Sequence, residues 1–83
     1  MRVELNISLF AGLCCTNAEL PCAGEKEFHL DVPEGMTIRQ LRDHIGINPA
    51  MPLLVMVNNH HEPENFVLHA GDRVGMFPPI GGG

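Results

Sequence analysis

The chain has no tryptophan and no tyrosine, and only five of its 83 residues are lysine or arginine. Nucleic-acid binding needs a basic face to replace the counterions around phosphates. With ten acidic residues and a formal net charge of -5, this chain lacks one; its charge suits a basic or electropositive protein partner instead. No apolar run approaches the ~20 residues of a membrane span, so no membrane association is expected. The opening Met1-Arg2-Val3-Glu4 is not followed by an apolar stretch and does not read as a secretion signal. Cysteine is odd in number, at Cys14, Cys15 and Cys22, which without such a signal predicts a reducing cytoplasm. The phosphate-loop, nucleophile-elbow and H-E-x-x-H zinc motifs are missing.

What is present is a single small domain. A chain near this length buries only about 60–65% of its unfolded surface, enough for one sheet and one or two helices. Hydrophobic content of 45% suits a globular rather than a disordered chain. Residues 2–10 alternate, with Val3, Leu5, Ile7 and Leu9 on one face and Arg2, Glu4, Asn6 and Ser8 on the other; this is the pattern of a half-buried strand. Residues 11–24 have no period and read as a long loop closing a hairpin. Residues 26–32 alternate again, placing Phe28, Leu30 and Val32 together.

Thr37-Ile38-Arg39-Gln40 is a capping box, since the threonine hydroxyl and the glutamine side chain can each satisfy an orphan N–H. It predicts a short helix with Ile38, Leu41 and Ile45 as its apolar stripe. Gly46 can end that helix in a left-handed cap, and Pro49 prevents its resumption. Residues 53–57 form an apolar run of strand length. Asn58-Asn59 reads as a turn, residues 60–65 as irregular, residues 66–68 as a short strand, and residues 73–77 as the last strand after a turn at Gly71-Asp72. One helix over one sheet predicts an α+β layer.

The chain ends in Pro78-Pro79-Ile80-Gly81-Gly82-Gly83. The prolines hold the root extended, and glycines without Cβ can thread a narrow channel. The division expected is a folded domain over residues 1–77 and a flexible presented tail over 78–83, with the Gly83 carboxylate at its end.

Four segments together resemble the small ubiquitin-like sulfur carriers, the ThiS and MoaD proteins. They are Leu9-Phe10-Ala11-Gly12-Leu13, then Pro33-Glu34-Gly35-Met36-Thr37-Ile38-Arg39-Gln40-Leu41. Val55-Met56-Val57-Asn58 with Leu68-His69-Ala70-Gly71-Asp72-Arg73-Val74 is the third, and the glycine tail the fourth. The Pro-Pro pair makes the end more similar to the small subunit of molybdopterin synthase than to the thiamine sulfur carrier. The resemblance implies a β-grasp fold, with the first and last strands parallel at the sheet centre and joined by a right-handed crossover.

The resemblance also implies a carrier rather than an enzyme. An E1-like adenylyltransferase, using ATP and magnesium that this chain does not itself bind, would adenylate the Gly83 carboxylate. A sulfur donor would then leave a thiocarboxylate. The large subunit of molybdopterin synthase, or another acceptor enzyme, would take the sulfur. A carrier for thiamine or another metabolite, a covalent modifier attached to lysine amines, and an inert β-grasp binding module are the rival readings.

Gly81 and Gly82 are the expected threading residues, and Phe77, Pro78, Pro79 and Met56 the expected partner contacts. Phe77 and Met56 follow from parity. Both faces of residues 53–57 are apolar, and Val74 and Met76 oppose Phe77. Either one parity set is core and the other an exposed patch, or both are covered within the domain. No metal site is expected. The C-C-x6-C spacing lacks paired C-x2-C hairpins, and His60-His61 with Glu62 and Glu64 reads as a solvated turn. The cysteines read as inert loop thiols, outside the resemblance, with a disulfide from Cys22 to Cys14 or Cys15 open on oxidation.

Overall fold

The alternation in the first segment sets the sheet. In a computed structural model that describes residues 1–48 and 50–78, β1 (Arg2–Leu9) buries Val3, Leu5, Ile7 and Leu9 and turns its polar residues to the other side. β2 (Glu27–Pro33) pairs with it antiparallel, setting Val3 opposite Val32, Leu5 opposite Leu30 and Ile7 opposite Phe28. Such cross-strand apolar pairs stabilise a sheet and fix its register, because a slip of one residue would turn every side chain to the wrong face.

The chain continues through α1 (Ile38–His44), β3 (Leu54–Val57), β4 (His60–His61) and β5 (Arg73–Phe77). The sheet order is β2-β1-β5-β3-β4. β1 and β5 are parallel neighbours, with Ile7 opposite Val74 and Leu9 opposite Met76. β3 runs antiparallel to β5 and sets Val55 against Met76 and Val57 against Val74. Every one of these residues faces the same side, where Ile38 and Leu41 of α1 and Ile45 at its C-cap are fully buried. This is the β-grasp arrangement.

The helix is short, so its ends matter. The capping box is formed: Gln40 N–H donates to Thr37 Oγ1 at 3.2 Å and Thr37 N–H donates to Gln40 Oε1 at 2.9 Å. Such a cap stabilises by about 1 kcal/mol. The next two orphan donors go elsewhere. Ile38 N–H donates to the Phe66 carbonyl at 3.1 Å and Arg39 N–H to the Glu64 carbonyl at 2.9 Å.

That use of the backbone corrects the expected strand at residues 66–68. The segment crosses the helix entrance, and only Val67 makes a bridge, to Thr37. A second correction concerns residues 60–65: His60 and His61 form β4 on β3. Asn58 and Asn59 close that hairpin, both at positive φ, 52° and 71°. Two such residues match the right-handed strand twist, and Asn tolerates the conformation.

At its other end the helix stops at Gly46, whose φ is +86°. Pro49, expected to block resumption, lies outside the described residues. The loop after β1 covers this end. Thr16 N–H donates to the Ile45 carbonyl at 2.9 Å, Asn17 Nδ2 to the His44 carbonyl at 2.7 Å, and Thr16 Oγ1 to the Gly46 carbonyl at 2.6 Å. A Cβ on Gly46 would lie 2.3 Å from Thr16 Oγ1, so glycine is required for space as well as for φ.

Candidate functional site: the open sheet face at the root of the tail

One side of the sheet is closed by the helix and the long loop; among the described residues, no helix covers the other. The second parity set lies on that open side. β3 alternates exposed Leu54, buried Val55, half-buried Met56 and buried Val57. β5 buries Val74 and Met76 and leaves Gly75 and Phe77 half-buried. Pairing brings the outward residues into register, Leu54 opposite Phe77 and Met56 opposite Gly75. Of the two arrangements left open by parity, the one with an outward apolar patch is found.

Phe10 completes the patch. It follows β1, keeps its alternation, and is anchored by its N–H donating to the Met76 carbonyl at 3.1 Å. Its ring reaches over Gly75, where a Cβ would lie 3.4 Å from Phe10 Cε2. It meets Phe77 edge to face, with centroids 5.9 Å apart and planes at 81°. It remains 51% exposed, and Leu54 36%. Together with half-buried Met56 and Phe77, these side chains make a contiguous apolar surface on the open face. A shallow cavity of about 370 Å³ opens here between Phe10, Met56, Gly75, Phe77 and the polar Ser8 and Asn59. Beside it, Phe10, Ala11, Phe77 and Pro78 line an apolar groove.

The patch stands where the tail begins. β5 ends at Phe77, and Pro78 is the last described residue before the glycines. Of the residues predicted from sequence, Phe77, Met56 and Pro78 come together here. Pro79, Gly81, Gly82 and Gly83 lie outside the described residues. Phe10 and Leu54 were missed as contacts. Phe10 could have been found by carrying the outward series Asn6, Ser8 one step further.

Away from the patch the open face turns polar, with Glu4, His29 and Asp31 on β1 and β2. Glu4 and His29 stand 3.7 Å apart, both side chains exposed, where an ion pair contributes little. Asn58 and Asp72 hold the far ends of β3 and β5 together. Asn58 Nδ2 donates to Asp72 Oδ1 at 3.0 Å, Arg73 N–H donates to Asn58 Oδ1 at 3.0 Å, and His69 N–H donates to Asp72 Oδ2 at 2.7 Å. Asp72 thus closes its own turn and locks the asparagine hairpin.

Arg42, a charged residue within the helix, is only 4% exposed. Its guanidinium donates to Glu64 and to the Asn48 and Met51 carbonyls, so it braces loops rather than serving the site. Cys15 and Cys22 are buried and Cys14 half-buried. Among the described residues, no three His, Cys, Asp or Glu side chains converge as metal ligands would, and no helix is long and apolar enough to cross a membrane.

Comparison with known proteins agrees with this architecture. No curated protein matches the chain. Among solved structures, the putative molybdopterin converting factor subunit 1 from Pyrococcus furiosus is 26% identical with a TM-score of 0.66, covering 94% of this chain and 99% of its own. SAMP1 from Haloferax volcanii is 23% identical with a TM-score of 0.66, over 96% and 99% of the two chains. The Caldiarchaeum subterraneum ubiquitin, 13% identical, covers both chains fully with a TM-score of 0.63. The last two show the fold alone. The family model described as the ThiS family matches residues 16–83, the whole chain from the long loop to the final glycine. The chain belongs to the ThiS family.

Proposed function

We propose that the chain is a sulfur carrier for molybdopterin synthesis, with the Gly83 carboxylate as its working group. The observation that carries this reading is the family match running through Gly83 on a fold whose last strand delivers the tail beside an outward apolar patch. The molybdenum branch is favoured by the Pro78-Pro79 pair and by the similarity to the Pyrococcus furiosus protein.

A carboxylate is a poor acyl donor because its leaving group is poor. An E1-like enzyme overcomes this by transferring AMP from ATP to Gly83 and releasing pyrophosphate. A persulfide sulfur then displaces AMP, and cleavage of the resulting S–S bond by a second thiol leaves the thiocarboxylate. This chain's part is positional. Phe10, Leu54, Met56 and Phe77 dock the partner, Pro78 and Pro79 direct the tail, and Gly81 and Gly82 pass through a channel too narrow for side chains. ATP and magnesium are held by the activating enzyme. The chain works in the cytoplasm as a carrier, with catalysis left to the activating enzyme and to an acceptor subunit.

A second reading has its own support. Two solved neighbours are small archaeal modifier proteins, from Haloferax volcanii and Methanosarcina acetivorans. In that reading a lysine amine, rather than sulfur, attacks the activated Gly83. ATP–pyrophosphate exchange with the cognate activating enzyme tests what both share. Exchange should be lost on deleting Gly83 and cut at least tenfold by Gly82→Val. No exchange with the full chain would leave only an inert binding module.

A further inference from the structure

We propose that Cys15 and Cys22 are a reversible disulfide site, selected by the fold over any pairing with Cys14. The proposal does not rest on the carrier reading. The two sulfurs are 3.1 Å apart in the reduced protein, while Cys14 stands outside the pair and half-buried. Cys15 and Cys22 are 1% and 5% exposed, inside the core cluster against which Leu13 and Leu20 of the same loop also pack.

Backbone hydrogen bonds hold them there. Cys15 N–H donates to the Glu25 carbonyl at 3.1 Å, Gly24 N–H to the Cys15 carbonyl at 2.8 Å, and Glu25 N–H to the Cys22 carbonyl at 2.9 Å. Closing to the ~2.05 Å of a disulfide needs a shift of about an ångström. Neighbouring Cys14 would have to reverse the backbone at Cys15, breaking the bond that Cys15 accepts from Gly24.

The oxidant is a small disulfide of the glutathione type. One protein thiolate attacks it, giving a mixed disulfide and one small thiolate. The second cysteine, deprotonated, displaces the other small thiolate and forms the Cys15–Cys22 bond. Two protein thiols are oxidised and one small disulfide is reduced to two thiols. Burial makes the reduced pair slow to react, and pushes the Cys22 thiol up to about 11, so exchange proceeds when the loop opens. The link has a consequence because the next two residues, Thr16 and Asn17, cap the helix C-terminus. A covalent tie removes freedom from the unfolded loop and keeps those caps in place.

The test uses the full chain with Cys14→Ser, incubated with oxidised glutathione, alkylated, and cleaved at glutamate. Glu19 lies between the two cysteines, so the fragments carrying Cys15 and Cys22 stay joined only through a disulfide. The expected result is joined fragments, an intact mass lower by two hydrogens, and a melting point several degrees higher that returns on reduction. Recovery of Cys15 and Cys22 as alkylated thiols or glutathione adducts would overturn the proposal. So would a Cys15→Ser protein that links Cys14 to Cys22 as readily.

Discussion

Phe10 and Phe77 meet edge to face on the uncovered side of the sheet, 5.9 Å between ring centroids. They come from the ends of two parallel neighbouring strands, so the pair marks the place where the tail leaves the domain. Substituting alanine for Phe10 should cost little stability, since the ring is half exposed. Its effect should appear in partner affinity. A central aromatic contact contributes about 2 kcal/mol or more, roughly a 30-fold change in Kd. Calorimetric titration with the cognate activating enzyme reads this directly; unchanged affinity for both Phe10→Ala and Phe77→Ala would remove the patch from the docking surface.

Gly46 is a structural requirement of a different kind. Its φ of +86° and the approach of Thr16 Oγ1 each oppose a Cβ. Gly46→Ala is expected to destabilise by about 3 kcal/mol, combining left-handed strain with a steric clash. The urea midpoint should fall with an unchanged slope. Gly35→Ala makes a useful comparison, because a Cβ there meets nothing and only the φ of +92° is at issue; its loss should be the smaller.

Burial raises the Cys22 thiol from about 9 to about 11, with Cys15 adding to the shift. A raised folded pKa means that the folded state holds its proton more tightly than the unfolded chain. The associated stability is therefore complete below about pH 9 and is lost as pH rises toward 11, a change on the order of 1–3 kcal/mol. Denaturant titrations of reduced protein across that window should show the decline, and Cys22→Ala should flatten it.

Lys26 is the only lysine in the chain, and it is exposed at the entrance to β2. If the tail is joined to amines, polymers of this chain through lysine must pass through Lys26. Lys26→Arg should then abolish self-linked ladders in extract while leaving conjugates to other proteins intact. A ladder that survives with isopeptide links would contradict this, because no other lysine exists to carry them.

Local rules made much of the fold legible. Alternation located β1 and β2, the Thr37 and Gln40 capping box located α1, and Asn58-Asn59 located a hairpin turn. What escaped reading depends on contacts between distant residues. Residues 66–68 have strand composition, but the Phe66 carbonyl accepts from Ile38 N–H at the helix entrance and Leu68 N–H donates to the Met36 carbonyl. Asn58 and Asp72 read as two separate turns, and only folding brings them within 3.0 Å. Nothing in the local pattern marks Arg42 as buried; a carboxylate and two carbonyls from distant loop residues make its burial possible. The site was half legible. Parity identified Met56 and Phe77, while Phe10 emerged from the strand's end position over Gly75.

The central claim concerns the chemical state of Gly83. An intact mass spectrum of untagged protein, purified from cells that make its own sulfur-transfer enzymes, tests it most directly. The account predicts a species heavier by the exchange of one oxygen for sulfur, absent when Gly83 is deleted. An unshifted mass that persists after incubation with ATP, a sulfur donor and the cognate activating enzyme would contradict it.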